Sequence, residues 1–292
     1  MYYILSANTY GGHSSKDIWL VIVMLKGSKC LVTGHRGFIG TRLCDLLRHR
    51  EIHLVGLDKE NGGVINRKLL YEKCKGVDYI FHLGAISTVP ACAEDLLLAH
   101  TTNITGTFNV LSIGKACNVK RVIFASSSVS HDARTMYAIT KVVGEEYCKF
   151  FREMFKLPTS ILRLYNVYGV GQSSDTAVIP SFIRKLKEDE PVIIEGSGTQ
   201  SRDFIYIDDV ANAMMQAADS GFDGCCDLGT GIDISITDLA LLIGKLMSKT
   251  VHIKHIAGRV GDIDRSIANT TWYKPRYSLT EGLTKTIESW NK

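Results

Sequence analysis

The sequence predicts an α/β protein built on a doubly wound parallel sheet, with a smaller, interleaved C-terminal domain. Three observations carry this reading. A glycine-rich turn joins an apolar run to a helical pattern at 29–47, strand and helix patterns then alternate as far as Tyr165, and the pattern becomes mixed beyond Asn166.

The first unit sets the rest. Lys29-Cys30-Leu31-Val32-Thr33 breaks into Gly34-His35-Arg36-Gly37-Phe38-Ile39-Gly40, and Ile39, Leu43, Leu46 and Leu47 follow at helical spacing. This reads as strand, tight turn and helix. Gly34 permits the turn, Gly37 lets the backbone approach a pyrophosphate, and Gly40 lets helix and strand pack, while the helix N-terminus offers N–H groups to phosphate oxygens. Leu54-Val55-Gly56-Leu57 then ends in Asp58, where a carboxylate can accept hydrogen bonds from an adenosine ribose. An acid there repels a 2′-phosphate, so NAD is favoured over NADP.

After a short turn-like link, Arg67 to Lys75 predicts a brief helix and Val77 to Leu83 a buried strand, closing on Gly84-Ala85. Ala91 to Cys117 predicts one helix bent near Gly106, or two. Arg121 to Ala125 is the next strand and runs into Ser126-Ser127-Ser128. Thr135 to Phe155 predicts a helix with Tyr137 and Lys141 on one face, since residues four apart stack together. Pro158 separates it from a strand at Ser160–Tyr165. Beyond Asn166 the pattern gives helices at 179–186, 208–218, 236–247 and 279–290, and strands at 192–195, 202–207, 225–228 and 251–255. The expected division is an N-terminal extension at 1–23, a nucleotide-binding domain at 24–168 with a return segment at 208–231, and a substrate domain at 169–207 and 232–292.

At 292 residues and 45% apolar, the chain can bury a large core or two lobes. The net charge of +4 comes from scattered Lys and Arg with no dense basic run, so no nucleic-acid partner is indicated. The apolar run Ile18–Leu25 is too short to span a bilayer and lacks the flanks of a secretion signal. A cytoplasmic protein without a membrane partner is expected. Eight cysteines show no C-x-x-C and no metal spacing, and read as reduced core residues.

Taken together, Thr33-Gly34-x-x-Gly37-Phe38-Ile39-Gly40, Asp58, His82-Leu83-Gly84-Ala85, the serines at 126–128, Tyr137-x-x-x-Lys141 and Arg163-Leu164-Tyr165-Asn166-Val167-Tyr168-Gly169 resemble the extended short-chain dehydrogenase/reductase family. The resemblance is to its NAD-dependent sugar-nucleotide epimerases and dehydratases, of UDP-glucose 4-epimerase type. It continues through Asn103-Ile104-Thr105-Gly106-Thr107, Gly198–Phe204 and Arg259–Asp262. It implies a Rossmann-type fold and NAD held by Gly34, Gly37, Phe38, Ile39, Gly40, Asp58, Leu83, Gly84, Ala85, Asn103, Tyr137 and Lys141. It also implies a nucleoside-diphosphate sugar held by Ser127, Asn166, Arg202 and Arg259, and no metal. Asn103 reads equally as a helix-kink residue.

The chemistry makes sense beside that resemblance. Oxidising a sugar carbon requires loss of the proton on its hydroxyl, and a phenol of ordinary pKa about 10 is a poor base at neutral pH. Lys141, one turn beyond Tyr137, together with the positively charged NAD ring is expected to favour tyrosinate by opposite charge. Strand register on Phe124 selects Ser127 as the accompanying hydroxyl, whereas counting back from Val129 selects Ser126. The dehydratases of the family place an Asp-Glu pair after that hydroxyl, where this chain has Ser128 and Val129, which argues for epimerisation at a hexose carbon, C4 foremost. Asp132 is the acid a dehydratase would have to use instead. The family's Val-Tyr-Gly after the serines reads Val129-Ser130-His131 here, and only nine residues separate Ser127 from Tyr137. The resemblance also implies a homodimer paired through the helices at 91–117 and 135–155.

Overall fold

The computed structural model describes residues 25–173, 177–258 and 263–291. Residues 1–23 lie outside them, and so does Arg259. The chain opens with β1 (Lys29–Thr33), α1 (Phe38–Arg48) and β2 (His53–Leu57), and a 3-10 turn at Glu60–Ile65 leads into α2 (Arg67–Cys74). There follow β3 (Tyr79–His82), α3 (Val89–Glu94), α4 (Leu96–Ala99), a π-helical segment at His100–Thr105 and α5 (Gly106–Ala116). Next come β4 (Arg121–Ser127), a second 3-10 turn at Ser128–His131, α6 (Met136–Phe155), β5 (Thr159–Leu164) and β6 (Asn166–Tyr168). The remainder is α7 (Val178–Lys187), β7 (Val192–Glu195), β8 (Ser201–Tyr206), α8 (Ile207–Asp219), β9 (Gly224–Leu228), β10 (Asp233–Ser235), α9 (Ile236–Met247), β11 (Ile253–Ile256), β12 (Arg265–Ser266) and α10 (Leu279–Ser289).

Six strands form one parallel sheet in the order β2-β1-β3-β4-β5-β9. Helices cover both faces, because alternate strand residues point to opposite sides. Cys30 and Val32 join a core with Leu43 and Leu47 of α1 and Met214 of α8. Leu31 points the other way and packs with Ile80, Val122, Phe124, Val110 and Phe151. Leu43 and Leu47 are fully buried, and such a side chain contributes roughly 1.5–3 kcal/mol. A third core gathers Phe182 and Ile183 of α7, Ile194 of β7, Ile243 of α9 and Leu283 of α10. It lies beside β8, which pairs with β6, β10 and β12.

The segment between Ala91 and Cys117 takes the two-helix alternative and not the single bent helix. Asp95 is extended, with φ −134° and ψ 90°, and its carboxylate caps Leu98 N–H at 2.8 Å. The helix that starts there widens into the π-helical turn before α5. Gly106 is not the bend. A Cβ at that position would lie 2.5 Å from Val64 Cγ2, so the glycine admits a close neighbour instead. The cysteines also split: five are buried, but Cys225 is exposed.

The order of the sheet reverses between β1 and β3, and this is where a doubly wound sheet opens a crevice at the carboxyl ends of its strands. Gly34 turns there with φ +70°, and a Cβ on it would come within 2.8 Å of Gly84 N. Gly76 has a similar φ of +67° but nothing within 4 Å of its Cβ position. Gly76→Ala should therefore cost only the left-handed strain of about 1–2 kcal/mol, and Gly34→Ala clearly more. Equal losses in urea unfolding would contradict the close contact of the two loops.

Candidate active site

The crevice is held by a buried line of polar groups. Gly84 N–H donates to Thr33 Oγ at 3.0 Å, Thr33 lies 2.8 Å from His82 Nδ1, and His82 Nε2 lies 3.0 Å from Thr107 Oγ. Thr107 spends its proton on the carbonyl of Asn103 at 2.5 Å. His82 must therefore donate from Nε2, and Nδ1 accepts from Thr33. Burial, helped by the charge of Lys141, lowers the His82 imidazole to about 3, so it is neutral. Asn103 continues the line. Its amide nitrogen donates to Ile86 O and to Thr140 Oγ, each at 3.0 Å, and its oxygen accepts from Ile86 N–H at 2.8 Å. With 3% of its surface exposed, Asn103 pins the loop after β3 at the π-helical turn.

Next to this line, α6 lays three side chains against the end of β4, because Tyr137, Lys141 and Glu145 follow at four-residue spacing. The Ser127 hydroxyl faces the Tyr137 phenol and favours its ionised form. Lys141 Nζ donates to Ala125 O at 2.8 Å and sits 5.7 Å from the centre of the Tyr137 ring. Glu145 accepts from Ser126 Oγ at 2.5 Å and takes a two-pronged pair from Arg163, at 2.9 and 2.6 Å. Ser126 and Arg163 are register partners across β4 and β5, so one carboxylate clamps both strands. Burial alone would raise Glu145, but Arg163 and Ser126 together hold it below the usual carboxylate range.

Of the two serines, Ser126 is committed to Glu145, and Ser127 is the one that faces Tyr137. Glu145 was not singled out from the sequence, although it stands one further turn along the Tyr137–Lys141 face. Lys141 by itself does not lower the phenol. Burial pushes Tyr137 up to about 12 against the opposing pull of the Ser127 hydroxyl. Burial likewise brings Lys141 down to about 8, although Cys92 and Glu145 favour its charge.

Two further regions complete the cleft. The N-terminus of α1 begins at Gly37 with no side-chain cap, so its N–H groups are available to an anion. Asp58 is fixed by Arg36 N–H on one oxygen, at 2.9 Å, and by Lys59 N–H on the other, at 2.8 Å, with Arg36 also ion-paired to Glu60. An uncapped helix start, a fixed carboxylate one strand away and the narrow Gly34–Gly84 contact fit the phosphate and ribose of a dinucleotide. Beyond β5 lies a cavity of about 620 Å³ between α7, β6, β7 and β8, lined among others by Asn166, Gln172, Phe182 and Arg202. Arg202 donates to Ser201 O at 2.8 Å and Ile263 O at 2.6 Å.

Residues 30–226 match the family model described as the NAD dependent epimerase/dehydratase family. The chain belongs to the NAD-dependent epimerase/dehydratase family. NAD is thus the cofactor of this epimerase/dehydratase family member, and the α1 terminus, Asp58 and the Gly84 loop are the residues that fit it. A putative UDP-glucose 4-epimerase of Methanocaldococcus jannaschii is 30% identical, over 90% of this chain and 98% of its own length. A UDP-N-acetyl-alpha-D-glucosaminuronate decarboxylase of Bacillus cytotoxicus is 28% identical, over 89% of this chain and 97% of its own length. Among solved structures, a UDP-N-acetylglucosamine 4-epimerase of Methanobrevibacter ruminantium in complex with UDP-N-acetylmuramic acid superposes with a TM-score of 0.87. It is 28% identical and covers 91% of this chain and 99% of its own. Family members therefore share this fold while differing in the reaction they catalyse.

The His82 line makes an acid-lability prediction. The unfolded chain takes up a proton on this imidazole below about 6.5, whereas the folded protein resists it down to about 3. The unfolded state binds more protons in that window, so stability should fall as pH falls through it, by up to about 1.4 kcal/mol per unit. Urea unfolding between pH 6.5 and 5 should show this slope in the native protein and a shallower one in His82→Gln. Identical slopes would mean that His82 is not buried neutral.

Proposed function

We propose that this protein is an NAD-dependent nucleoside-diphosphate-sugar epimerase acting at C4 of a UDP-hexose. The observation that carries the reading is Ser127 facing the Tyr137 phenol, with Lys141 one turn further along the same helix face. In this reading residues 24–168 with the return at 208–231 hold the cofactor, and 169–207 with 232–292 hold the sugar nucleotide. Asn166, Arg202 and Arg259 are the proposed contacts to the nucleotide, the arginines because a guanidinium fork matches diphosphate in charge and shape.

When bound, NAD supplies a cationic ring and a carbon that takes a hydride from the sugar and gives it back, so no net oxidation results. Tyr137 takes the proton from the sugar hydroxyl and later returns it. Ser127 holds the same oxygen by a second hydrogen bond, which fixes the carbon for in-line transfer. Lys141 offsets the negative charge that forms on the phenol. Since burial alone leaves Tyr137 protonated at neutral pH, the site becomes basic only as positive charge enters it. Epimerisation then requires the oxidised sugar to turn in the site and offer its other face.

A dehydratase needs an acid beside the reacting hydroxyl. Ser128 and Val129 stand there, and Asp132 is engaged by Arg134 at 2.8 Å. A homodimer is part of the proposal. Leu96 and Leu97 near the start of the α3–α5 segment and Phe150 and Met154 on α6 expose 57, 73, 48 and 66% of their surface, an apolar face suited to a second copy. A cytoplasmic location accords with the absence, among the described residues, of a helix long and apolar enough to cross a membrane.

Incubation with UDP-glucose or UDP-galactose should equilibrate the two, and Tyr137→Phe should slow this by roughly 10²–10⁴-fold without loss of fold. If the protein binds NAD but converts no nucleotide sugar, it is a cofactor-binding protein of the same fold and the proposal fails.

A further inference from the structure

The trimmed loop after the serines ends in a cluster that the reaction above does not use. His131 closes the 3-10 turn that leaves β4 directly after Ser127. Its Nε2 lies 2.9 Å from Oδ1 of Asp227, near the carboxyl end of β9. The other oxygen of Asp227 accepts from the Tyr165 hydroxyl at 3.1 Å and from Asn269 N–H at 3.4 Å. Tyr165 immediately precedes Asn166, which lines the large cavity. The cluster therefore stands at the carboxyl ends of the neighbouring strands β4, β5 and β9, just beyond Ser127 and next in sequence to Asn166, the side on which the sugar of a bound nucleotide sugar lies if the proposed function holds.

Its geometry is that of an oriented base. The Asp227 side chain is 10% exposed and that of His131 45%, so the carboxylate is sunk and the ring is open. A carboxylate only accepts, so Nε2 carries a hydrogen, and in the neutral ring the lone pair is then on Nδ1. A carboxylate behind an imidazole fixes its tautomer and stabilises the imidazolium that forms when the ring takes a proton.

We infer that His131, oriented by Asp227, is a second acid–base group of this site, acting on a carbon next to the oxidised carbon of the sugar. The inference rests on the proposed C4 oxidation, since only a neighbouring ketone makes such a C–H acidic. Nδ1 takes the proton. The C–H electron pair moves into the C–C bond, and the carbonyl pair moves onto oxygen, where the Ser127 and Tyr137 hydroxyls hold it. Return of a proton from His131 restores the ketone, with retention or inversion according to the face used. No oxidant or further reactant is consumed.

Turnover of UDP-glucose, UDP-N-acetylglucosamine or UDP-glucuronic acid in D₂O, read by NMR and mass, tests this. Hydrogen at C4 travels as hydride and stays protium, so deuterium at C3 or C5 reports proton exchange beside the ketone. The native protein should place deuterium there during C4 conversion. In His131→Gln and Asp227→Asn the ratio of exchange to C4 conversion should fall by roughly 10²-fold. C4 conversion without deuterium overturns the inference and leaves the epimerase reading standing. Deuterium at the native ratio in both variants assigns the exchange to another base and equally overturns it. If neither conversion nor exchange occurs, both readings fall.

Discussion

The site depends on a conflict between burial and charge along one face of α6. A helix at 3.6 residues per turn places Tyr137, Lys141 and Glu145 in line, and the last residues of β4 receive them in turn. Each contact costs desolvation. The glutamate is compensated fully, by Arg163 and Ser126, and so anchors the helix to two strands as a fixed ion pair. The lysine is compensated partly, by one carbonyl, and sits near 8. The tyrosine is compensated least and stays protonated, at about 12. The gradient of compensation runs toward the cleft, so the group nearest to where ligands enter is the one whose protonation they can change.

The second constraint is mechanical. A single series of hydrogen bonds passes from Gly84 through Thr33, His82 and Thr107 to Asn103, and from Asn103 through Thr140 to the carbonyl of Tyr137. It joins the glycine turn of the cofactor crevice to the first turn of the catalytic helix without crossing solvent. A buried polar series of this kind stabilises only when every member is satisfied, which explains why its one imidazole must remain neutral.

Much of this was legible in the sequence, because its signals are local. β7 at 192–195 and α9 at 236–247 fall where apolar runs bounded by Pro191 and Ser235 put them, and Ser235 caps its helix. The three-residue strands β6 and β10 were not legible, since pairing with β8, and no periodicity of their own, defines them. The π-helical turn was hidden for a related reason: Asn103 bonds to Ile86 and Thr140, distant in sequence. The same holds at the site. Tyr137 and Lys141 announce themselves by spacing, but Glu145 acquires meaning only once β4 and β5 bring Ser126 and Arg163 together. The balance that raises rather than lowers the tyrosine depends on how completely the helix is covered, and no residue count reveals that.

The central claim is that Tyr137 rests protonated and becomes a base only when a cationic cofactor ring enters beside it. Ultraviolet difference titration of tyrosinate, native protein minus Tyr137→Phe, measured with and without saturating NAD, tests this directly. The account predicts a transition near 12 without NAD and one displaced toward neutrality with it. The same transition in both conditions would contradict it.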